Sequence, residues 1–249
     1  MEEARKKRRL RHCRGVVIIV GFVVAFTVSN VFGNYSYSPT GSPPSGEKTH
    51  AQILSQIYGG TFYKMGTNRV DYGNATGVRA WRVYDTDGPN ETLHLITGLP
   101  SDVDQIWKDG TATITVKAKY ASDTQSFGWN QGGTETTYEE LLTHLDIETQ
   151  KEVTLDIENN FLWGCHPDSQ MWWSQNSKNL NGEDHMVTYK IENLPNQGDN
   201  TVWLICMEDK PFYDSDKDYN DFVVEITAIP EPATLLLLTA GALLLRKRS

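Results

Sequence analysis

The chain has 249 residues, with 23 Lys and Arg against 32 Asp and Glu and a formal net charge of −9. Residues 1–33 hold seven of the basic and two of the acidic residues and 230–249 hold three and one, which leaves 34–229 with 13 basic and 29 acidic residues, a net charge of −16. A middle section that acidic excludes a nucleic-acid interface and attracts cations, and its length suits one domain with an adequate core.

The basic cluster of residues 5–14 leads straight into an apolar run over 16–28, the n-region and h-region of a secretory signal peptide spanning 1–33. Two outcomes fit: cleavage after Gly33, with Val31 three positions back, or an uncleaved anchor. Residues 34–48 are rich in Ser, Pro, Gly and Tyr without apolar periodicity, which reads as a flexible linker. Thr49 and Gln52 then form a capping box. Ile53, Leu54, Ile57 and Tyr58 follow at helical spacing, and Gly59-Gly60 ends the helix.

Beyond the helix the pattern changes to period two. Ala112, Ile114, Val116, Ala118 and Tyr120 alternate with Thr and Lys, so one set faces a core and the other water. Val153, Leu155 and Ile157 alternate likewise, as do Val187, Tyr189 and Ile191. The run 202–207 is apolar throughout, which predicts a strand buried on both faces. Further strands are expected over 61–65, 78–84, 92–97 and 222–227, and a second short helix over 139–145. Short strands separated by Gly, Asn and Asp turns predict a mainly β chain, one antiparallel β-sandwich or jelly roll over 49–228.

Export changes the reading of the cysteines. Cys165 and Cys206 either close a disulfide, contributing roughly 3 to 4 kcal/mol, or Cys206 is a small buried hydrophobe in its strand. Asp214, Asp216, Asp218, Asn220 and Asp221 crowd hard oxygen donors into one loop before the last strand, which suits Ca²⁺; a solvated acidic turn is the other reading. The loop is no EF-hand, because Tyr219 replaces the turn glycine and a strand follows where a helix should exit. Trp163, Trp172 and Trp173 lie in or near turn-rich segments, where an indole face could stack on a sugar. If that stretch is extended, Trp172 and Trp173 point to opposite sides, one to the core and one outward.

Catalytic signatures are missing. The histidines show no HExxH spacing, no Ser sits in a GxSxG elbow, and there is no phosphate-binding glycine loop, so no catalytic residue is assigned and an enzyme is not expected.

Residues 229–249 carry Pro230-Glu231-Pro232, an apolar run over 233–245 and a basic stop of Arg246, Lys247 and Arg248. The run is short for a membrane-crossing helix, and flanking cationic side chains extend its reach. This tripartite tail resembles the PEP-CTERM sorting signal, which a membrane transpeptidase, exosortase, reads. The resemblance implies Pro230, Glu231 and Pro232 as the processing signal and Arg246, Lys247 and Arg248 as the membrane stop. It also implies exosortase and the secretion machinery as partners, a transient inner-membrane anchor, and a destination at the cell envelope, the outer surface or the extracellular matrix. His50 to Gly60, residues 106–113, 127–129 and 184–189, and Asp216-Lys-Asp-Tyr-Asn-Asp221 resemble the exported β domain of unknown function that precedes such tails in planctomycete-type bacteria. The class implied is a structural or adhesive surface protein, with a carbohydrate-binding module acting on extracellular polysaccharide as the alternative.

Overall fold

The computed structural model describes residues 40–66, 71–83, 92–94, 104, 106–108, 110–131, 138–155, 161–165, 170–198 and 200–229. The expected signal peptide and sorting tail lie outside the described residues, and among those described no helix is long and apolar enough to cross a membrane.

The chain opens with α1 (His50–Tyr58), which starts where the capping box places it. Thr49 accepts from the Gln52 amide while the Gln52 side chain accepts from the Thr49 amide, and Gly59 closes the helix at φ 75°. Among the described residues fourteen strands follow: β1 (Phe62–Lys64), β2 (Tyr72–Asn74), β3 (Arg79–Arg82), β4 (Thr92–His94), β5 (Ile106–Lys108), β6 (Gly110–Lys119), β7 (Ser126–Gln131), β8 (Glu139–Thr143), β9 (Gln150–Leu155), β10 (Phe161–Cys165), β11 (Trp172–Trp173), β12 (Met186–Glu192), β13 (Thr201–Met207) and β14 (Phe222–Ile229). They form two sheets. The larger runs β1-β2-β3-β12-β13-β14-β6-β9, antiparallel throughout. The smaller runs β4-β5-β10-β7-β8, with β11 on β10, and β4 pairs β5 in parallel.

Strand alternation divides the larger sheet between two cores. Ile114, Val116, Trp203, Ile205, Met207, Val224 and Ile226 face the smaller sheet, where Trp107, Phe127, Leu141 and Leu142 meet them. Val187, Tyr189, Ile191, Val202, Leu204, Cys206 and Val223 face the opposite way, under Ile53 and Leu54 of α1. The larger sheet is therefore covered twice, by a second sheet and by a helix. This is why β13 is apolar at every position from Val202 to Met207. Helix α1 is pinned at its start by His50, which is buried, receives the Tyr189 hydroxyl at Nδ1 (2.7 Å) and donates from Nε2 to the Tyr219 carbonyl (3.2 Å). Burial pushes this imidazole down to about 4, so it is held neutral.

Three expectations change. Residues 139–145 are not a helix: 139–143 are strand β8, paired to β7 across a bulge at Phe127/Gly128. Gly128 allows the close approach, since a Cβ there would lie 2.1 Å from the Glu139 carbonyl oxygen. The described part of the expected linker packs onto the domain, with the Gly41 amide donating to the Lys217 carbonyl (2.6 Å) and Asn220 Nδ2 to that of Lys48 (3.0 Å). The Cys165–Cys206 disulfide is not formed. Cys206 is a free, fully buried thiol on the α1 side of the larger sheet, whereas Cys165 belongs to the sheet packed on the other side. Burial pushes that thiol up to about 12, which makes it inert.

Melting curves with and without a reductant should coincide; a bridge would instead show as a loss of roughly 3 to 4 kcal/mol on reduction. Thr49→Ala removes the cap and should cost about 1 kcal/mol in a denaturant titration.

Candidate cation site

Strands β13 and β14 pair in register from Thr201↔Ala228 to Met207↔Phe222. The residues that leave the two strands at this end, Glu208 and Asp221, therefore stand side by side although a long loop separates them in sequence. The Asp209 amide donates to Asp221 Oδ2 at 2.9 Å. Glu208, Asp209 and Asp221 each bring a carboxylate oxygen within 4.8 Å of the others, and all three are buried. A second group gathers Glu47 from the N-terminal segment with Asp216 and Asp218.

The sequence-assigned loop is thus split. Asp221 belongs to the first group, and Asp216 and Asp218 to the second. Asp214 is exposed and lines the adjoining cavity without joining either group. Asn220 is buried, its Nδ2 bonded to Asp218 Oδ2 at 2.5 Å, while its Oδ1 has no partner. Asx-type bonds from the Asp218 amide to Asp216 (3.3 Å) and from the Asn220 amide to Asp218 (3.0 Å) shape the turn. Tyr219 stands at φ 56°, the left-handed conformation that glycine would take more easily. Its ring is buried and its hydroxyl donates to the Asp184 carbonyl at 3.0 Å, which holds it there. Glu208, Asp209 and Glu47, outside the sequence-assigned set, complete the two groups. The strand register was the available signal for the first two; Glu47, inside an apparent linker, had none.

A frame beneath the first group fixes its backbone. Trp172 donates from Nε1 to the Asp209 carbonyl (2.7 Å) and stacks on His185 at 3.6 Å between ring centroids, and His185 Nδ1 donates to the Glu208 carbonyl (3.0 Å). Gln125 Nε2 donates to Asp209 Oδ2 at 2.6 Å. Trp172 and Trp173 are 1% and 3% exposed, so both belong to the interior and neither presents a face to a sugar. The outward tryptophan expected of this pair does not exist, because β11 lies between β10 and the Asn179 turn that bonds both backbone groups of Trp173. The side chain of Trp163 and residues 230–249, with Pro230, Glu231, Pro232, Arg246, Lys247 and Arg248, lie outside the described residues.

Glu208 and Asp209 are 2% and 5% exposed, and Glu208 Oε2 and Asp209 Oδ1 have no hydrogen-bond partner. Leaving such atoms buried and unpaired is costly. Burial first, then the charge of a neighbouring carboxylate, pushes Asp209 and Asp221 up to about 7. Burial likewise raises Glu208, and raises Asp218 to about 7 with the charges of Asp216 and Asp221 adding to it. Hard, mutually repelling oxygens at this spacing suit a cation of the Ca²⁺ type. A cavity of about 320 Å³ adjoins these residues, bounded by Pro44, Glu47, Tyr120, Ser122, Lys210 and Asp214 among others.

Residues 146–228 match a domain of unknown function, DUF4114. No curated protein matches the chain. Among solved structures it is similar to a Chromobacterium violaceum lectin in complex with alpha-methyl-fucoside, at 13% identity over 50% of this chain and 92% of that one, TM-score 0.31. It is also similar to a Ralstonia solanacearum high-affinity mannose-binding lectin, at 11% identity over the same shares, TM-score 0.31.

A carboxyl whose folded-state pKa lies above its unfolded value contributes stability that is full below the unfolded pKa and is lost as pH rises through the folded one. Asp209, Asp218 and Asp221, raised from 3.8 to about 7, should therefore make chelator-treated protein melt higher at pH 6.5 than at pH 8.5. His50, lowered from 6.5 to about 4, acts below that window and in the opposite sense. Melting in chelator across the two pH values checks the sign, and an Asp209→Asn, Asp221→Asn variant should shrink the difference to the part that Asp218 leaves.

Proposed function

We propose that the chain is an exported structural or adhesive β-sandwich module whose fold is completed by a Ca²⁺-type cation held by Glu208, Asp209 and Asp221. The observation that carries this reading is the pair of buried, unpartnered oxygens Glu208 Oε2 and Asp209 Oδ1, gathered with Asp221. A divalent ion would give both atoms a partner and replace the repulsion among the three carboxylates with attraction. Because these residues directly follow β13 and precede β14, the ion would tie the central ladder of the larger sheet to the ionic medium outside the cell. In this proposal the PEP-CTERM-like tail delivers the module through exosortase to the envelope, the outer surface or the extracellular matrix. The wider reading of a polysaccharide-binding module loses Trp172 and Trp173 as contacts, since both are buried.

Adding Ca²⁺ at about 100 times its Kd should stabilise the protein by about 2.7 kcal/mol, which corresponds to roughly 5 to 10 °C in melting temperature. Asp209→Asn with Asp221→Asn should abolish the rise, while Asp214→Asn should leave it intact because Asp214 joins neither group. A melt that is the same in Ca²⁺ and in chelator would overturn the reading.

A further inference from the structure

We infer that the face of β1, β2, β3 and β12 turned away from α1 is a platform for an extended acidic polysaccharide, with Arg79 pairing a uronate carboxylate and Tyr63 and Met65 meeting an apolar ring face; this rests on the adhesive part of the reading above and not on the cation. Strand register builds the platform. Tyr63 pairs with Gly73, Gly73 with Arg79 and Arg79 with Glu192, so the four stand in one row, and Trp81 pairs with Lys190 in the row beside it. Directly paired residues share a face of an antiparallel sheet, and this face is opposite to the one that sends Tyr72, Ala80 and Ile191 into the core under α1. Lys190 pairs on its other side with Trp203, which the smaller sheet buries. At β1 and β3, by contrast, Tyr63 is 56% exposed and Arg79 is exposed.

Charge and shape then narrow the occupant. Glu192 spends both carboxylate oxygens within the platform, Oε2 on the Trp81 indole N–H (2.7 Å) and Oε1 on Lys190 (3.3 Å), and Asp71 turns Oδ1 to the Arg82 amide (2.9 Å). Arg79 differs: its guanidinium lies over the Trp81 ring, 5.5 Å from the centroid, and makes no ion pair among the described residues. An aromatic neighbour attracts the cation while leaving its planar donor fork for a bidentate carboxylate. In a section whose acids outnumber its bases by 29 to 13, such a cation is the point at which an external anion pairs. Beside it the surface is apolar and low. Gly73 keeps it so, since a Cβ there would lie 2.7 Å from Met65 Sδ, which packs on β2 between Arg79 and Tyr63. Tyr63 and Arg79 are two strand spacings apart, about 10 Å, which is wider than one sugar ring. Linked uronates span that distance, with a carboxylate on Arg79 and the C–H face of another ring on Met65 and Tyr63. The contacts lie on the face of the sheet, whereas an extended peptide is read along an edge.

The test is calorimetric titration of the full chain, in chelator, with oligogalacturonate, its methyl ester, monomeric galacturonate and polyglutamate, beside the Ca²⁺ melt. Oligogalacturonate should bind, and the ester and the monomer should bind at least tenfold more weakly. Tyr63→Ala and Arg79→Ala, both at exposed positions, should each weaken oligogalacturonate binding at least tenfold and keep the Ca²⁺ melting shift. Arg79→Lys, which keeps the charge and loses the fork, should recover only part of the loss. No oligogalacturonate binding, binding that survives both alanine substitutions, or equal binding of the ester overturns the inference and leaves the cation reading standing. Polyglutamate binding as tightly as oligogalacturonate makes the occupant an acidic polypeptide and overturns it as well. A melt indifferent to Ca²⁺ with oligogalacturonate still bound removes the cation reading and leaves this one.

Discussion

The pairing of β13 with β14 is the constraint on which both the fold and the site depend. Seven consecutive registered pairs, from Thr201↔Ala228 to Met207↔Phe222, form the middle of the larger sheet and send alternate side chains into two different cores. A slip of one residue would exchange those faces, placing Leu204 and Cys206 against the smaller sheet and Trp203 and Ile205 under the helix. The same slip would part Glu208 from Asp221. Register, core and the spacing of Glu208 and Asp221 are therefore one property seen at three scales.

Covering the larger sheet on both faces has an electrostatic consequence. At its acidic end, the segment around Trp172 and His185 lies against the backbone of 208–209, and the N-terminal segment and the loop after β6 close the cavity from the other side. Carboxylates that would be solvated on a sandwich with one open face are instead withdrawn from water, and this withdrawal raises their pKa values. The N-terminal segment matters here beyond its two backbone bonds to the loop, because it brings Glu47 to Asp216 and Asp218.

Much of the scaffold was legible in the sequence because it rests on local rules. The capping box at Thr49 and Gln52, the alternation along β6 and the apolar run of β13 each follow from one segment read alone. The helix expected over 139–145 fails for a physical reason: Leu141 and Leu142 are adjacent and both buried, which the bulge at Leu141, left out of the pairing between Phe127↔Leu142 and Gly128↔Glu140, permits and a regular strand would not, so the period-two signal is broken where it is needed. The tryptophans mislead for a related reason. A Trp-Trp pair in a turn-rich stretch suggests one exposed face, but β11 is packed on both sides of its plane.

The site was half legible, and the dividing line is the difference between composition and register. Density of Asp and Asn marked the loop at once, and Asp216, Asp218 and Asp221 do enter carboxylate groups. Which residues act together is a matter of topology. Asp221 faces Glu208 and not Asp214, because strands in register outrank neighbours in sequence. A loop of alternating acids therefore states that cations are attracted, while the ladder beneath it decides where one could be held. That ordering also accounts for the departure from the EF-hand pattern, in which one continuous loop supplies nearly every ligand. Here the carboxylates fall into two groups, one at two strand ends and one joining the loop to an N-terminal segment.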